Sequence, residues 1–177
     1  VPTVGPIASP LGNTLDRGVG YTPYGDHFTF QCGMEVVLPN GEVMRTGMGS
    51  IKNSTTWQAF KWGYGPSVDG LFTQSNFGIC TKMGMWLMPK PPCYKPFMIR
   101  HAEMSDVARI VEAMRPLRVA SLIPNVNLMM GAAYQLAMFN RRSEVWQGEG
   151  SATDEAVKKA AKANDLGMWN TYFALYG

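Results

Sequence analysis

Gly12–Gln31 reads GNTLDRGVGYTPYGDHFTFQ: Gly12, Gly18, Gly20 and Gly25 stand among two acids, Asp16 and Asp26, and two tyrosines, Tyr21 and Tyr24, before alternating strand begins. Glycine lets a backbone approach a ligand closely and take positive φ, and N–H groups outside regular structure can cradle anionic oxygens. The run is therefore the candidate ligand loop. Gly18-Val19-Gly20 lacks the following glycine of the dinucleotide fingerprint, so spacing alone does not define the ligand.

Outward from the loop, Phe28, Phe30, Cys32, Met34, Val36 and Leu38 alternate with Thr29, Gln31, Gly33 and Glu35, which predicts a half-buried strand over 27–38. Pro39-Asn40-Gly41 predicts a turn and Glu42 to Thr46 the return strand of a hairpin. Aromatic spacing over Thr56 to Trp62 predicts a short helix, and Ile79 to Met88 a buried, nearly all-apolar strand.

Lys90-Pro91-Pro92 is the clearest boundary, because consecutive prolines exclude helix and central strand. Most glycines precede it, whereas the later part is richer in alanine. Beyond it the pattern predicts a strand at Pro96–Ala102. A helix follows through Val107, Ile110, Val111, Met114 and Leu117, capped by Ser105 and ended by Pro116. Two more helices are predicted, over Asn127–Phe139 and over Thr153–Asn164 with Gly167 as its stop, and then a strand over Met168–Tyr176. The fold class is α+β in two parts.

Bulk properties narrow the function. The 177 residues are 46% hydrophobic, enough for a sizeable core, and the net charge of +3 is scattered without a basic run, which argues against nucleic-acid or membrane-surface binding. No apolar stretch has membrane-spanning length, and the sequence carries no readable targeting signal. Cys32, Cys80 and Cys93 lie far apart with no C-x-x-C pair, which disfavours a zinc site or a disulfide framework. No metal is expected.

The glycine run, GLFTQSNFGICTKMGMWLMPKPP from Gly70 to Pro92, and WNTYFALYG at the end together resemble the 4-cresol dehydrogenase and vanillyl-alcohol oxidase family of flavoproteins. The resemblance implies FAD as cofactor. It implies that residues 1–92 are the C-terminal part of a vanillyl-alcohol-oxidase-type FAD-binding domain, and residues 93–177 the N-terminal part of the cap domain over the substrate. Family members are longer, so the chain is expected to be a fragment that is inactive alone. The implied activity is oxidation of para-alkylphenols or 4-hydroxybenzylic alcohols by hydride transfer to the flavin through a quinone methide. A homodimer is implied. QCGMEVVL, WQAFKWGYGP and GICTKMG are closer to the dehydrogenases, which pass electrons to a c-type cytochrome subunit; the alternative is a vanillyl-alcohol or eugenol oxidase using dioxygen. Oxidases of the family carry an aspartate ahead of the glycine loop, where this chain has Val1-Pro2-Thr3-Val4-Gly5, a departure that counts against that branch. A non-catalytic flavin-binding or structural fragment is the reading of another class.

For the site, the family places its matching acids near flavin and substrate, so Asp26 and Asp16 are the catalytic candidates, although a loop aspartate also serves as a turn or cap acceptor. The cofactor-binding candidates are Gly12, Asn13, Arg17, Gly18, Val19, Gly20, Tyr21, Gly78 and Ile79. Arg17 either offsets pyrophosphate charge or pairs with Asp16. Tyr21 and Tyr24 either wall the flavin or edge the core. His27 either contacts the flavin or satisfies a local group, and is given no proton-transfer role.

Overall fold

A computed structural model describes residues 5–177, so Thr3 lies outside the described residues. They fall into two compact units, one up to Pro89 and one over Lys90–Gly177, with the division at the Lys90-Pro91-Pro92 run.

In the first unit a short helix α1 (Pro10–Leu15) precedes strands β1 (Gln31–Val37), β2 (Val43–Arg45) and β3 (Ile79–Met85), which form an antiparallel sheet in the order β2-β1-β3. The hairpin turn closes as expected, with Gly41 at φ 84° and the Leu38 N–H donating to the Glu42 carbonyl at 2.9 Å. The central strand departs from expectation. It begins at Gln31, and Gln31 to Val36 are all buried. Met34 and Val36 pack with Phe72, Leu38, Met44 and Met83. Of the positions that alternation leaves to solvent, Gln31 and Gly33 are met by the irregular segment 46–78 and Glu35 by Arg45, Thr81 and Lys82. Lys61 donates to the Phe28 and Gln31 carbonyls at 2.8 and 3.2 Å, and the Gln31 amide donates to Asp69. Gly33, at φ 69° in a register irregularity, leaves room for the Trp57 ring.

Two other expectations change. Thr56–Trp62 forms a turn because Gln58 takes φ 69°, which breaks the helical path. The strand expected over Ile79–Met88 ends at Met85 as a largely exposed edge, with Ile79 and Leu87 open to solvent.

The second unit contains β4 (Tyr94–His101), α2 (Val107–Val119), β5 (Leu128–Gly131), α3 (Ala132–Phe139), α4 (Arg142–Val145), α5 (Asp154–Ala163) and β6 (Trp169–Tyr176). Its antiparallel sheet has the order β4-β6-β5. Ala132, Leu136, Ala161 and Met168 form the core between α3, α5 and the start of β6. The single helix expected over Asn127–Phe139 divides, because Leu128 to Gly131 pair with Tyr172 to Trp169 and become strand. Pro116 sits inside α2 rather than ending it; the helix closes through the Ala120 N–H to the Pro116 carbonyl at 2.9 Å. The entry to α2 is a 3-10 turn with a Glu103–Asp106 capping box in place of a Ser105 cap. Thr153, expected as the first helical residue, is the cap of α5, its hydroxyl accepting the Ala156 N–H, and the left-handed residue after the helix is Asp165 (φ 57°), not Gly167. Among the described residues no helix is long and apolar enough to cross a membrane, and no cluster of metal-ligating side chains occurs.

Candidate functional site

The glycine run is more ordered than its composition suggests. Pro10 opens α1, the Ser9 hydroxyl accepts the Gly12 N–H at 3.0 Å, and Gly12 and Asn13 therefore lie in a helical turn rather than a loop. The helix ends in a Schellman arrangement: the Gly18 N–H donates to the Asn13 carbonyl at 2.7 Å and the Arg17 N–H to the Thr14 carbonyl at 3.1 Å. The left-handed residue this motif requires is Arg17, at φ 56°. The positive φ anticipated for the glycines thus falls on an arginine. Arg17 does not pair with Asp16; its Nη2 donates to the Thr73 hydroxyl at 3.2 Å.

Asp16 has a neighbour of its own. Gln74 Nε2 donates to the Asp16 carbonyl at 3.2 Å and to its Oδ1 at 3.4 Å, while the Gln74 N–H donates to the Leu15 carbonyl at 3.0 Å. The end of α1 is thereby docked on the 73–74 segment.

Beyond it, Val19 and Asp26 form an isolated antiparallel bridge, and the Gly20 N–H donates to the Gly25 carbonyl at 2.8 Å. A small closed loop results, with Val19 and Tyr21 exposed on it. Tyr24 stacks on Phe30 at 4.2 Å between centroids, the packing role expected of an aromatic at the core edge. Asp26 accepts the Thr29 N–H at 3.1 Å and the Thr29 hydroxyl at 2.7 Å. The hydroxyl bond first, then the N–H bond, hold its carboxyl below the usual carboxylate range, with Lys61 and His27 adding a smaller electrostatic pull. Asp26 is therefore an exposed, fixed negative charge at neutral pH, and at the same time the cap of the turn over 26–30.

The backbone donors can be accounted for one by one. The N–H groups of Gly12, Asn13, Asp16, Arg17, Gly18 and Gly20 all donate within the chain, so these glycine amides are not free to cradle an anion. Among the described residues, the N–H groups of Val19 and Tyr21 donate to no protein acceptor. Gly78 makes its close approach to β1: a methyl there would meet Val36 Cγ1 at 2.5 Å and the Val37 carbonyl at 3.0 Å. Ile79 next to it is exposed. The unbonded amides of the 19–28 turn, the outward part of the Arg17 guanidinium and the exposed Val19, Tyr21 and Ile79 side chains are what this unit presents.

Sequence reasoning missed two features. Asn13, singled out for its backbone, uses its side chain to accept a 2.6 Å hydrogen bond from His27 Nδ1. Lys61 is desolvated, its ammonium pushed below the ordinary lysine range by burial and held 5.3 Å from the Phe28 ring and 5.5 Å from the Trp62 ring. The signal for the second was the lysine between aromatics in Phe60-Lys61-Trp62.

Comparison with known proteins defines the class first. The fold matches the crystal structure of p-cresol methylhydroxylase with substrate bound at a TM-score of 0.92 and 53% identity, covering 97% of this chain and 33% of that one. 4-Ethylphenol oxidase from Gulosibacter chungangensis, in its isoeugenol complex, matches at a TM-score of 0.92 and 43% identity over 96% of this chain and 33% of that one. No family model matches the chain. In sequence it is 54% identical over 172 residues to the 4-cresol dehydrogenase [hydroxylating] flavoprotein subunit of Pseudomonas putida, covering 97% of this chain and 33% of the relative. It is 38% identical over 131 residues to 1'-carboxy-chondrochloren decarboxylase of Chondromyces crocatus, covering 74% of this chain and 24% of that protein. The α+β fold is thus that of part of a flavoprotein. The chain belongs to the family of the 4-cresol dehydrogenase flavoprotein subunit and spans about a quarter to a third of the length of the relatives it matches.

Proposed function

We propose that this chain is part of an FAD-dependent oxidoreductase that oxidises para-alkylphenols or 4-hydroxybenzylic alcohols. The observation that carries the reading is the match over nearly the whole chain to a 4-cresol dehydrogenase flavoprotein subunit at 54% identity, joined by the fold match to p-cresol methylhydroxylase. In this reading the unit before Pro89 is part of the FAD-binding domain and the unit after it part of the cap domain. FAD, when bound, accepts the hydride that leaves the benzylic carbon. A phenol held as phenolate pushes electron density toward that carbon, and water adds to the resulting quinone methide.

The chain's own share is placement. Val19 and Tyr21 present their free amides and exposed side chains to the ring system, and Ile79 adds apolar surface. Arg17, which donates to Thr73, supplies a cation at the end of α1. The ionised Asp26 carboxylate is a fixed charge near a centre whose charge changes as hydride departs. Asp16, engaged with Gln74, acts as a positioning residue. The finer assignment is to the dehydrogenase branch, with a c-type cytochrome subunit as electron acceptor and a homodimer as the flavoprotein assembly. It rests on the higher identity to the dehydrogenase subunit than to 4-ethylphenol oxidase.

The test uses the complete protein that contains this chain. Purified and FAD-loaded, it is mixed anaerobically with 4-cresol and then, once reduced, with cytochrome c or with air. Bleaching by 4-cresol followed by fast reoxidation with cytochrome c and slow reoxidation with air supports the proposal. Fast reoxidation by air assigns the oxidase branch, and no bleaching by any para-alkylphenol removes the functional reading.

A further inference from the structure

We infer that the Asn13–His27 hydrogen bond is the clasp that sets the cofactor loop, and that Gly18 and Gly20 are glycines to make room for this clasp rather than for the cofactor itself. The inference deepens the flavin reading of the loop and rests on it. Neither glycine takes a positive φ, so backbone conformation does not require glycine at either place. Sterics do. A methyl on Gly18 would collide with the Asn13 side-chain amide, and a methyl on Gly20 would lie 2.6 Å from His27 Nε2 and 3.3 Å from its Cε1.

Each obstacle is the far end of a side chain, which ordinarily moves aside at little cost. Here it is not free to move, because His27 Nδ1 donates to Asn13 Oδ1 at 2.6 Å and each side chain anchors the other. The clasp joins α1 to the first residue after the Val19–Asp26 bridge, spanning 14 positions of sequence. Between its two ends lies the segment whose Val19 and Tyr21 amides are free. Gly25 is a different case: a methyl there would meet the carbonyl oxygens of Gly20 and Thr22, which no side-chain change can relieve. His27 and Asn13 are therefore positioning residues for the loop, and they act through Gly20 and Gly18.

A double-substitution experiment in the complete protein separates this from direct ligand approach. Gly20→Ala is expected to weaken FAD retention by about tenfold or more, as overpacking does. Gly20→Ala combined with His27→Ala is expected to match His27→Ala alone, the non-additivity of two residues sharing one contact. Gly18→Ala with Asn13→Ala repeats the test should His27→Ala fail to fold. Gly25→Ala is expected to stay defective when His27→Ala is added.

At FAD concentrations that load every variant, Asn13→Ala and His27→Ala are expected to shift the visible flavin spectrum alike, and the two together no further. Thr46→Val removes the acceptor of the Met34 N–H in the sheet, so it is expected to lower the melting temperature and leave the spectrum unchanged. If Gly20→Ala stays equally defective with and without His27, the glycine serves the ligand and the inference is overturned; unshifted spectra in both clasp variants overturn it as well. A wild-type protein that retains no FAD defeats the functional reading instead. The clasp is then judged by melting temperature: rescue of Gly20→Ala by His27→Ala supports it, and lack of rescue overturns it.

Discussion

Segment 10–30 and strand β1 follow one another in the chain, and each holds a carboxylate that the fold keeps ionised by different means. Glu35 on β1 is buried. It is opposite Arg45 on β2 and Lys82 on β3 in the ladder, accepts from Arg45 at 2.8 and 3.0 Å and from the Thr81 hydroxyl at 3.1 Å, and pairs with Lys82 at 3.1 Å. The Arg45 bonds foremost, then those of Lys82, hold its carboxyl down to about 2. Asp26 has both oxygens on the single residue Thr29 and its outer face in solvent. Glu35 faces inward to cross-strand partners that consume its bonding capacity, so it stabilises the sheet. Asp26 keeps a charge turned outward, where a ligand can meet it.

The comparison gives a ranking of effects in the complete protein. Met34→Ala, in the middle of β1 with no solvent exposure, is expected to cost about 2–5 kcal/mol in denaturant unfolding, the range for emptying a packed core position. Val19→Ala, exposed on the loop, is expected to change stability by no more than about 0.5 kcal/mol. Equal losses at the two positions would erase the distinction between a load-carrying strand and a presenting loop.

Acid titration sharpens it further. A depressed folded pKa means that Glu35 stabilises the fold fully above its ordinary value of 4.5, and that this contribution is lost as pH falls toward about 2. Glu35→Gln is expected to flatten the acid limb of a stability–pH curve in that window. Asp26 has the same sign: its contribution is present above its ordinary 3.8 and lost as pH falls through the lowered folded value. Thr29→Val removes the larger cause of that lowering, so the Asp26 carboxyl is expected to titrate closer to 3.8 in a carbon-13 NMR titration. An unmoved titration would mean that Thr29 is not what holds the charge.

The smallest effect belongs to Arg17. Glycine in its place relieves a left-handed arginine, worth about 1–2 kcal/mol, and forfeits the Thr73 hydrogen bond, worth about 0.5–1.5 kcal/mol. Arg17→Gly is therefore expected to leave the melting temperature nearly unchanged while weakening FAD retention, since the cation is gone. A large stability loss would make Arg17 a structural residue.

These cases also mark what the sequence made legible. The hairpin at Pro39-Asn40-Gly41, the helix beginning near Thr153 and the strand near Pro96 are local: their signals are written in neighbouring residues, and the structure keeps them. The two-sided burial of β1 has no signal in its alternation, because Gln31 and Glu35 are covered by Lys61, Asp69, Arg45 and Lys82, which come from elsewhere in the chain. The helix expected over Asn127–Phe139 was misread for the same reason, since β6 recruits Leu128–Gly131 as a strand. In the candidate site, glycine composition pointed to the correct segment for close packing and to the wrong cause. Positive φ sits on Arg17, the amides of Gly12, Gly18 and Gly20 bond within the chain, and the tight approaches are to Asn13, His27 and Val36. A contact such as Asn13–His27, 14 residues apart, has no periodic signature.

Asp26→Asn in the complete, FAD-loaded protein tests the account at its centre, because asparagine keeps the shape of the Thr29 acceptor and removes the outward charge. Rapid anaerobic mixing with 4-cresol reads the rate of flavin bleaching directly. Near-normal FAD content is expected, with bleaching slowed by roughly a hundredfold, the scale of removing one preorganised electrostatic group. An unchanged bleaching rate, or a loss confined to stability and FAD loading, would leave Asp26 as a cap of its turn and nothing more.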